Sequence, residues 1–211
     1  MSALELAPQE AFTFRKNKGG VLLIACGALG REIISLIEAN HWSGFDLACL
    51  PAKLHNYPDQ IPAAVREKIH EARGQYQNIY VLYGDCGTGG LLDKVLEEER
   101  IERIEGPHCY AFFSGQETFR KTEEEDVTAF FLTDYLARHF DKLVWEGLGM
   151  HKHPELLPIY FGNYTKIVYL AQIKDQALEA KAKAAAEKLG LAYEYRFTGF
   201  GELDSELRKR A

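Results

Sequence analysis

The chain has 211 residues, 46% of them hydrophobic and 27% charged, with a net charge of −6. A chain of this size buries roughly 70% of its unfolded surface and needs no disulfide staple. Its 25 basic residues are scattered among 31 acidic ones without a basic stripe, which argues against a nucleic-acid partner. No apolar run reaches the roughly 20 residues of a membrane span, and residues 1–18 hold no apolar signal core. These readings argue against a membrane partner and for a cytoplasmic protein, whose four cysteines then serve as thiols or metal ligands.

Residues 1–211 read as a single α/β domain, with residues 1–18 as an N-terminal extension. Gly19-Gly20 precedes the apolar run Val21 to Ala25, which suits a buried parallel strand. A helix is expected over Leu29 to Ala39, a strand over Phe45 to Leu50, and a helix over Ile61 to Ala72 with Pro62 in its first turn. Asn78 to Tyr83 is the next strand, followed by the Gly-rich turn Gly84 to Gly90 and a helix over Leu91 to Arg100. Ile101 to Ile104 reads as a short strand and Arg103 to Glu125 as an ordered functional loop. Val127 to Phe140 is expected to be helical with Asp126 as its N-cap, within the acidic run Glu123 to Asp126. Leu143 to Glu146 reads as a strand and His153 to Phe161 as a short helix. Lys166 to Ala171 is a clear strand, Asp175 to Leu189 a helix stopped by Gly190, Leu191 to Phe197 a last strand, and Leu203 to Arg210 a terminal helix. The alternation implies βαβ units. The fold class is α/β: three layers, with a mostly parallel sheet covered by helices on both faces, Rossmann-like.

Cys26, Cys86 and Cys109 each follow a predicted strand. In a parallel sheet the carboxyl ends of all strands lie on one edge, where ligands bind. Helix starts after two of them should lower the thiol pKa, and thiolates gathered there repel unless a cation joins them. Three thiolates with an open fourth position describe a catalytic zinc site, or a [4Fe-4S] cluster with one exposed iron. His108 and His55 are candidate fourth ligands. The bland alternative is three small buried residues, since the spacing contains no CxxC pair. Cys49, flanked by Ala48 and Leu50, is assigned to the core.

Gly84, Gly87 and Gly89 let the backbone approach a bound group, although the segment matches neither a P-loop nor GxGxxG, and a phosphate or carboxylate on the following helix start stays open. Tyr110, beside Phe112 and Phe113, is a candidate wall of the cofactor site. Asp85, His108 and His153 are candidate acid–base groups, His153 because the strand Leu143 to Glu146 would deliver it to the cysteine edge. Asp134 and Arg138 form an i,i+4 pair of a solvated or structural kind.

The runs Ala25-Cys26-Gly27-Ala28-Leu29, Tyr83 to Asp93, Gly106-Pro107-His108-Cys109-Tyr110 and Phe131 to Leu136 resemble a bacterial and archaeal family described only as a domain of unknown function. The resemblance implies a genomic context of corrinoid proteins and trimethylamine-type methyltransferases. It supports Cys26, Cys86 and Cys109 as the site without naming a reaction. Where the family carries an acidic residue after the third motif, this chain has Ala111. The expectation is a metal-dependent protein of one-carbon, corrinoid-linked methyl transfer, a metal-dependent methyltransferase if it is an enzyme. It would act with a small-molecule substrate or a corrinoid protein. The alternative is a non-catalytic accessory module that binds a metal or a corrinoid partner.

Overall fold

The computed structural model describes residues 10–14, 20–122 and 124–211, so that Gly19, Glu123 and most of the 1–18 extension lie outside the described residues. The chain divides into two compact units, Met1–Cys109 with Leu203–Ala211, and Tyr110–Glu202. Each is built from parallel strands joined by helices, and helices lie on both sides of the sheets, giving the α/β class expected from the alternation.

The first unit holds strands β1 (Phe12–Phe14), β2 (Val21–Cys26), β3 (Phe45–Leu50), β4 (Asn78–Leu82) and β5 (Glu102–Arg103), in the order β1-β3-β2-β4-β5. The last four run parallel, and β1 joins the edge of β3 antiparallel, a strand too short to be read from the extension's sequence. Helices α1 (Gly30–Ala39), α2 (Ile61–Ala72) and α3 (Leu91–Glu99) connect them. Alternation along the strands separates the faces. Leu22, Ile24, Leu50, Val81 and Tyr83 meet Ile61, Val65 and Ile69 of α2 and Leu92 and Leu96 of α3 in one buried cluster. Cys49 points to the opposite face, where its sulfur lies 3.0 Å from where a Cβ on Gly30 of α1 would sit. The thiol is 1% exposed, which makes it the core residue its neighbours implied.

The winding reverses direction at β2. From β2 the chain moves outward to β3, then crosses back to β4 and continues to β5. Such a reversal leaves a crevice between the carboxyl ends of the two central strands, because the connections leaving them cover opposite faces. Those ends carry Cys26 and, just past β4, Cys86.

The second unit holds the parallel sheet β6 (Ala129–Thr133), β7 (Lys166–Ala171) and β8 (Ala192–Phe197), with β7 in the middle as expected. Its helices are α4 (Cys109–Ser114), α5 (Gln116–Lys121), α6 (Asp134–Phe140), α7 (Leu157–Phe161) and α8 (Gln176–Leu189). A final helix, α9 (Glu202–Arg208), returns to the first unit from Leu203 onward. Three expectations fail here. The helix over Val127 to Phe140 is instead β6 followed by α6. Ala129 to Thr133 pair in full register with Lys166 to Leu170, and a ladder with a central strand outweighs the local apolar pattern. The cap is therefore Thr133, whose Oγ1 accepts the Leu136 N–H at 3.3 Å, and not Asp126. The expected strand Leu143 to Glu146 is a π-helical turn over Asp141–Glu146 that buries Leu143 and Val144 against the unit, so two adjacent apolar residues served a helix and not a strand. The expected loop Arg103 to Glu125 contains α4 and α5, because Phe112 and Phe113 bury themselves on a helical turn.

Asp134 is buried where β6 passes into α6, and is more than one half of a surface pair. Its carboxylate accepts the Tyr169 hydroxyl at 2.6 Å and the N–H groups of Ile173 at 3.0 Å and Gln172 at 3.2 Å, tying the end of β6 to the end of β7. Asp126, just ahead of β6, ties β7 and β8 together. It accepts from Arg196 Nη2 of β8 at 2.9 Å and lies 2.9 Å from Lys166 Nζ of β7. Burial alone would push Asp126 up, but the donors Arg196, Lys166 and Thr122 outweigh it and hold the carboxyl at about 2, below its ordinary 3.8. A depressed carboxyl contributes stability above its ordinary value and loses it as the pH falls toward the folded value. Acid unfolding should therefore steepen between pH 3.8 and about 2. Asp126→Asn should flatten that segment and cost about 1–3 kcal/mol at neutral pH by urea unfolding. An unchanged acid profile would remove Asp126 from this role.

Candidate functional site

Cys26 ends β2 opposite Leu50 of β3, and the chain then turns sharply into a 3-10 turn, Gly27–Leu29, that starts α1. A side chain on Gly27 would meet the Leu50 carbonyl at 3.0 Å, so glycine allows the turn to lie against β3. Since Ala25 pairs with Leu82, the next residues in register are Cys26 and Tyr83, side by side on one face. Past Tyr83 the chain approaches a second loop. A Cβ on Gly84 would stand 2.7 Å from the His108 Cα, and the N–H groups of Asp85 and Cys86 donate to the carbonyls of Gly106 at 3.0 Å and Pro107 at 2.7 Å. These contacts set Cys86 beside His108 and Cys109. Cys86 has a left-handed backbone, φ +50°, a strain that clusters at functional turns.

Arg103 holds the same two loops from behind. Its Nη1 donates to the carbonyls of Ile104 at 2.8 Å, Gly106 at 3.3 Å and Tyr83 at 3.5 Å, while Nη2 donates to Asp93 at 3.0 Å. Asp85, a candidate acid–base group, is committed to its own loop. It accepts from Thr88 Oγ1 at 2.7 Å, Gly90 N at 2.8 Å and Gly89 N at 3.2 Å. Burial pushes Asp85 up, but these donors together with Gly87 N–H pull it below the usual carboxylate range. The chain's own carboxylate thus sits where a bound anion was considered, on the N–H groups that open α3. Gly84 is needed for close approach, whereas Gly87, at φ +83°, and Gly89, at φ +62°, are needed for their backbone conformation.

The thiols feel one another. Burial pushes Cys26 up against the pull of the Ala28 N–H and the Tyr83 hydroxyl. Burial and then Cys26 push Cys86 up to about 12, although the N–H groups of Gly84 and Cys109 bond its sulfur. Cys109 is driven well above the ordinary thiol value by burial, then by Cys86 and Cys26, with Glu32 adding to it. Helix starts were expected to lower these values; burial and mutual repulsion win instead, so the protein without a cation keeps neutral thiols there. Among the described residues no group of three or more His, Cys, Asp or Glu side chains stands at metal-binding geometry. The sulfurs share an edge and interact, but do not form a closed coordination sphere.

His55 lies exposed in a 3-10 turn, Ala52–Asn56, after β3, and the protein packed around its ring pushes it below its ordinary value. Burial and the neighbouring His55 likewise push His108 down. Both are thus favoured as neutral imidazoles, the form that binds metals. His153 belongs to the second unit, where it is exposed and bonds Glu155 at 3.0 Å; the strand meant to carry it to the cysteine edge does not form. Tyr110 also belongs to the second unit, stacked on Phe131 with ring centroids 5.3 Å apart. Ala111, in place of an acidic residue, is 1% exposed and packs in the core.

Three residues beside the thiols were not singled out from the sequence. Glu32 is 4% exposed on α1 and raises both Cys49 and Cys109. A signal existed, because Glu32 falls on the helical stripe Leu29, Ile33, Leu36 where an apolar residue belongs. Tyr83 alternates with Val81 on the buried face of its strand, which also announces it. Arg103 carried no pattern at all.

A family model described as "Protein of unknown function (DUF1638)" matches residues 49–207, spanning Cys86 and Cys109 but not Cys26. No curated protein and no solved structure matches the chain. No described helix is long and apolar enough to cross a membrane. The close approach at Gly84 yields a direct test. Gly84→Ala must push the His108 backbone away, and should cost about 1–3 kcal/mol in urea unfolding. An unaltered midpoint would mean that the two loops are not held together there.

Proposed function

We infer that this chain, which belongs to the DUF1638 family of proteins of unknown function, uses Cys26, Cys86 and Cys109 to hold a soft metal, as a zinc ion or a [4Fe-4S] cluster. The observation that carries the reading is the gathering of Cys26, Cys86 and Cys109, through the register of β2 with β4 and the bonds between the two loops, at the edge where the sheet reverses its winding. Neutral thiols packed together gain most from a cation that takes their protons' place. The donor set suits the group: thiolates prefer zinc and iron–sulfur chemistry over hard cations. The N–H groups of Ala28, Gly84 and Cys109, aimed at sulfurs, are the kind of donors that settle bound thiolates. His108 or His55 would supply a neutral fourth donor. Loading would require the cysteine side chains to turn toward one another.

When bound, zinc would supply Lewis-acid activation of an acceptor thiol, and a cluster would supply an exposed iron. The family resemblance directs this chemistry to one-carbon metabolism, with methyl transfer involving a corrinoid protein or a small-molecule acceptor as the task. In that reading the chain's own part is to hold the metal, to offer the crevice between β2 and β4 to the substrate, and to place the two imidazoles beside it.

Anaerobic purification followed by elemental analysis and visible absorption tests the reading: a colourless zinc protein and a coloured cluster protein are told apart at once. Cys26→Ser, Cys86→Ser and Cys109→Ser should each lower metal occupancy about tenfold or more, because a hydroxyl is a poor soft-metal ligand. Cys49→Ala should keep the metal. Binding releases thiol protons, so zinc affinity should rise with pH by about two to three log units per pH unit below the thiol values. Metal retained in all three serine variants would refute the assignment.

A further inference from the structure

Strand β8 is bonded to β7 along one side, and no described strand lies along the other. It is open for a strand: Tyr195 is 39% and Phe197 51% exposed, whereas β6, at the opposite edge of the same sheet, buries Ala129, Leu132 and Thr133. Its six residues include no proline or lysine, which commonly blunt an exposed edge. The direction of its free main-chain groups follows from two bonds. The N–H of Ala192 donates to the Thr165 carbonyl at 3.1 Å, and that of Thr198 to the Ala171 carbonyl at 3.0 Å. Since the pleat alternates, Glu194 and Arg196 also turn their main-chain groups to β7, while Tyr193, Tyr195 and Phe197 turn theirs outward. Side chains alternate in the same way. The three aromatic rings share one face, where Tyr195 meets Tyr169 edge-on at 5.8 Å between centroids. Glu194 and Arg196 share the other face, held from within by Lys166 at 2.8 Å and Asp126 at 2.9 Å, and both stay partly exposed.

We propose that β8 is the interface of a two-fold dimer, pairing antiparallel with β8 of a second copy about Tyr195. Two-fold symmetry requires a self-complementary surface, and this strand is one. With Tyr195 opposite its own copy, Tyr193 faces Phe197 of the partner subunit, and Glu194 faces Arg196 of the partner subunit. The aromatic positions then use outward main-chain groups on both strands, giving about six hydrogen bonds across the junction. The charged pairs fall at the positions between, where opposed side chains come closest. Sliding the copies by one step that keeps the same bonding centres the axis on Glu194 or on Arg196, and sets like charges face to face. The charges thus select a second copy as the occupant of this edge and fix its register.

The test uses the full chain in sedimentation velocity, where it should run as a dimer. Tyr195→Pro removes an N–H that points away from β7, so the ladder within the chain keeps its bonds while the centre of the junction is lost. It should raise the dimer dissociation constant about tenfold or more. Mild oxidation reads the register independently, even where the proline variant fails to fold. Tyr195→Cys should bridge two copies, because directly opposed residues lie about 5.5 Å apart between Cα atoms, within disulfide reach. Tyr193→Cys and Phe197→Cys should each stay unbridged alone, too far from their own copies along the strand, and bridge when mixed. Peptide mass spectrometry tells these bridges from any made by the native cysteines. A wild-type chain that stays monomeric overturns the proposal. So does a dimer that Tyr195→Pro leaves intact, or one that forms no bridge at these positions.

Discussion

Two backbone hydrogen bonds, from the N–H groups of Asp85 and Cys86 to the carbonyls of Gly106 and Pro107, hold the loops after β4 and β5 against each other. Without them Cys86 and Cys109 would belong to separate surface turns. Their formation depends on glycine at position 84, because the His108 backbone passes where any side chain would be. It depends also on Arg103, which satisfies carbonyls of both loops at once. The site is therefore assembled by the main chain, with the thiols carried on a rigid frame.

Against that frame the thiols are poorly placed as isolated acids. Burial and mutual repulsion favour the protonated form, while scattered N–H donors favour the thiolate. An arrangement with both tendencies is costly for either state alone. Cys49 shows the contrast. It is equally near in sequence register, one residue across from Ala25, yet faces α1 and lies in apolar packing. One step along a strand reverses the face, and with it the chemistry open to a cysteine.

Most strands and helices of the first unit were legible, because continuous apolar runs bounded by glycine and proline leave few alternatives. The errors collected in the second unit. Ala129 to Thr133 is apolar enough to serve a helix or a strand, and the ladder with β7 decided between them. Leu143 and Val144 look like a strand core only if a partner strand exists; they are buried instead on a π-helical turn. The expected position of His153 rested on that same reading, a strand that does not form.

The residues alone determined that three cysteines follow three strands, and that a parallel sheet would bring strand ends to one edge. Periodicity and punctuation are local, so they survive in the sequence. The direction of winding was decided only by the tertiary structure, as were the pairing of the Gly84 and His108 backbones, and the burial that raises the thiols and seals the Tyr83 hydroxyl. Each of these is a relation between segments far apart along the chain. Its energy comes from surface removed from water and from hydrogen bonds closed between distant loops, terms that have no value until the segments meet.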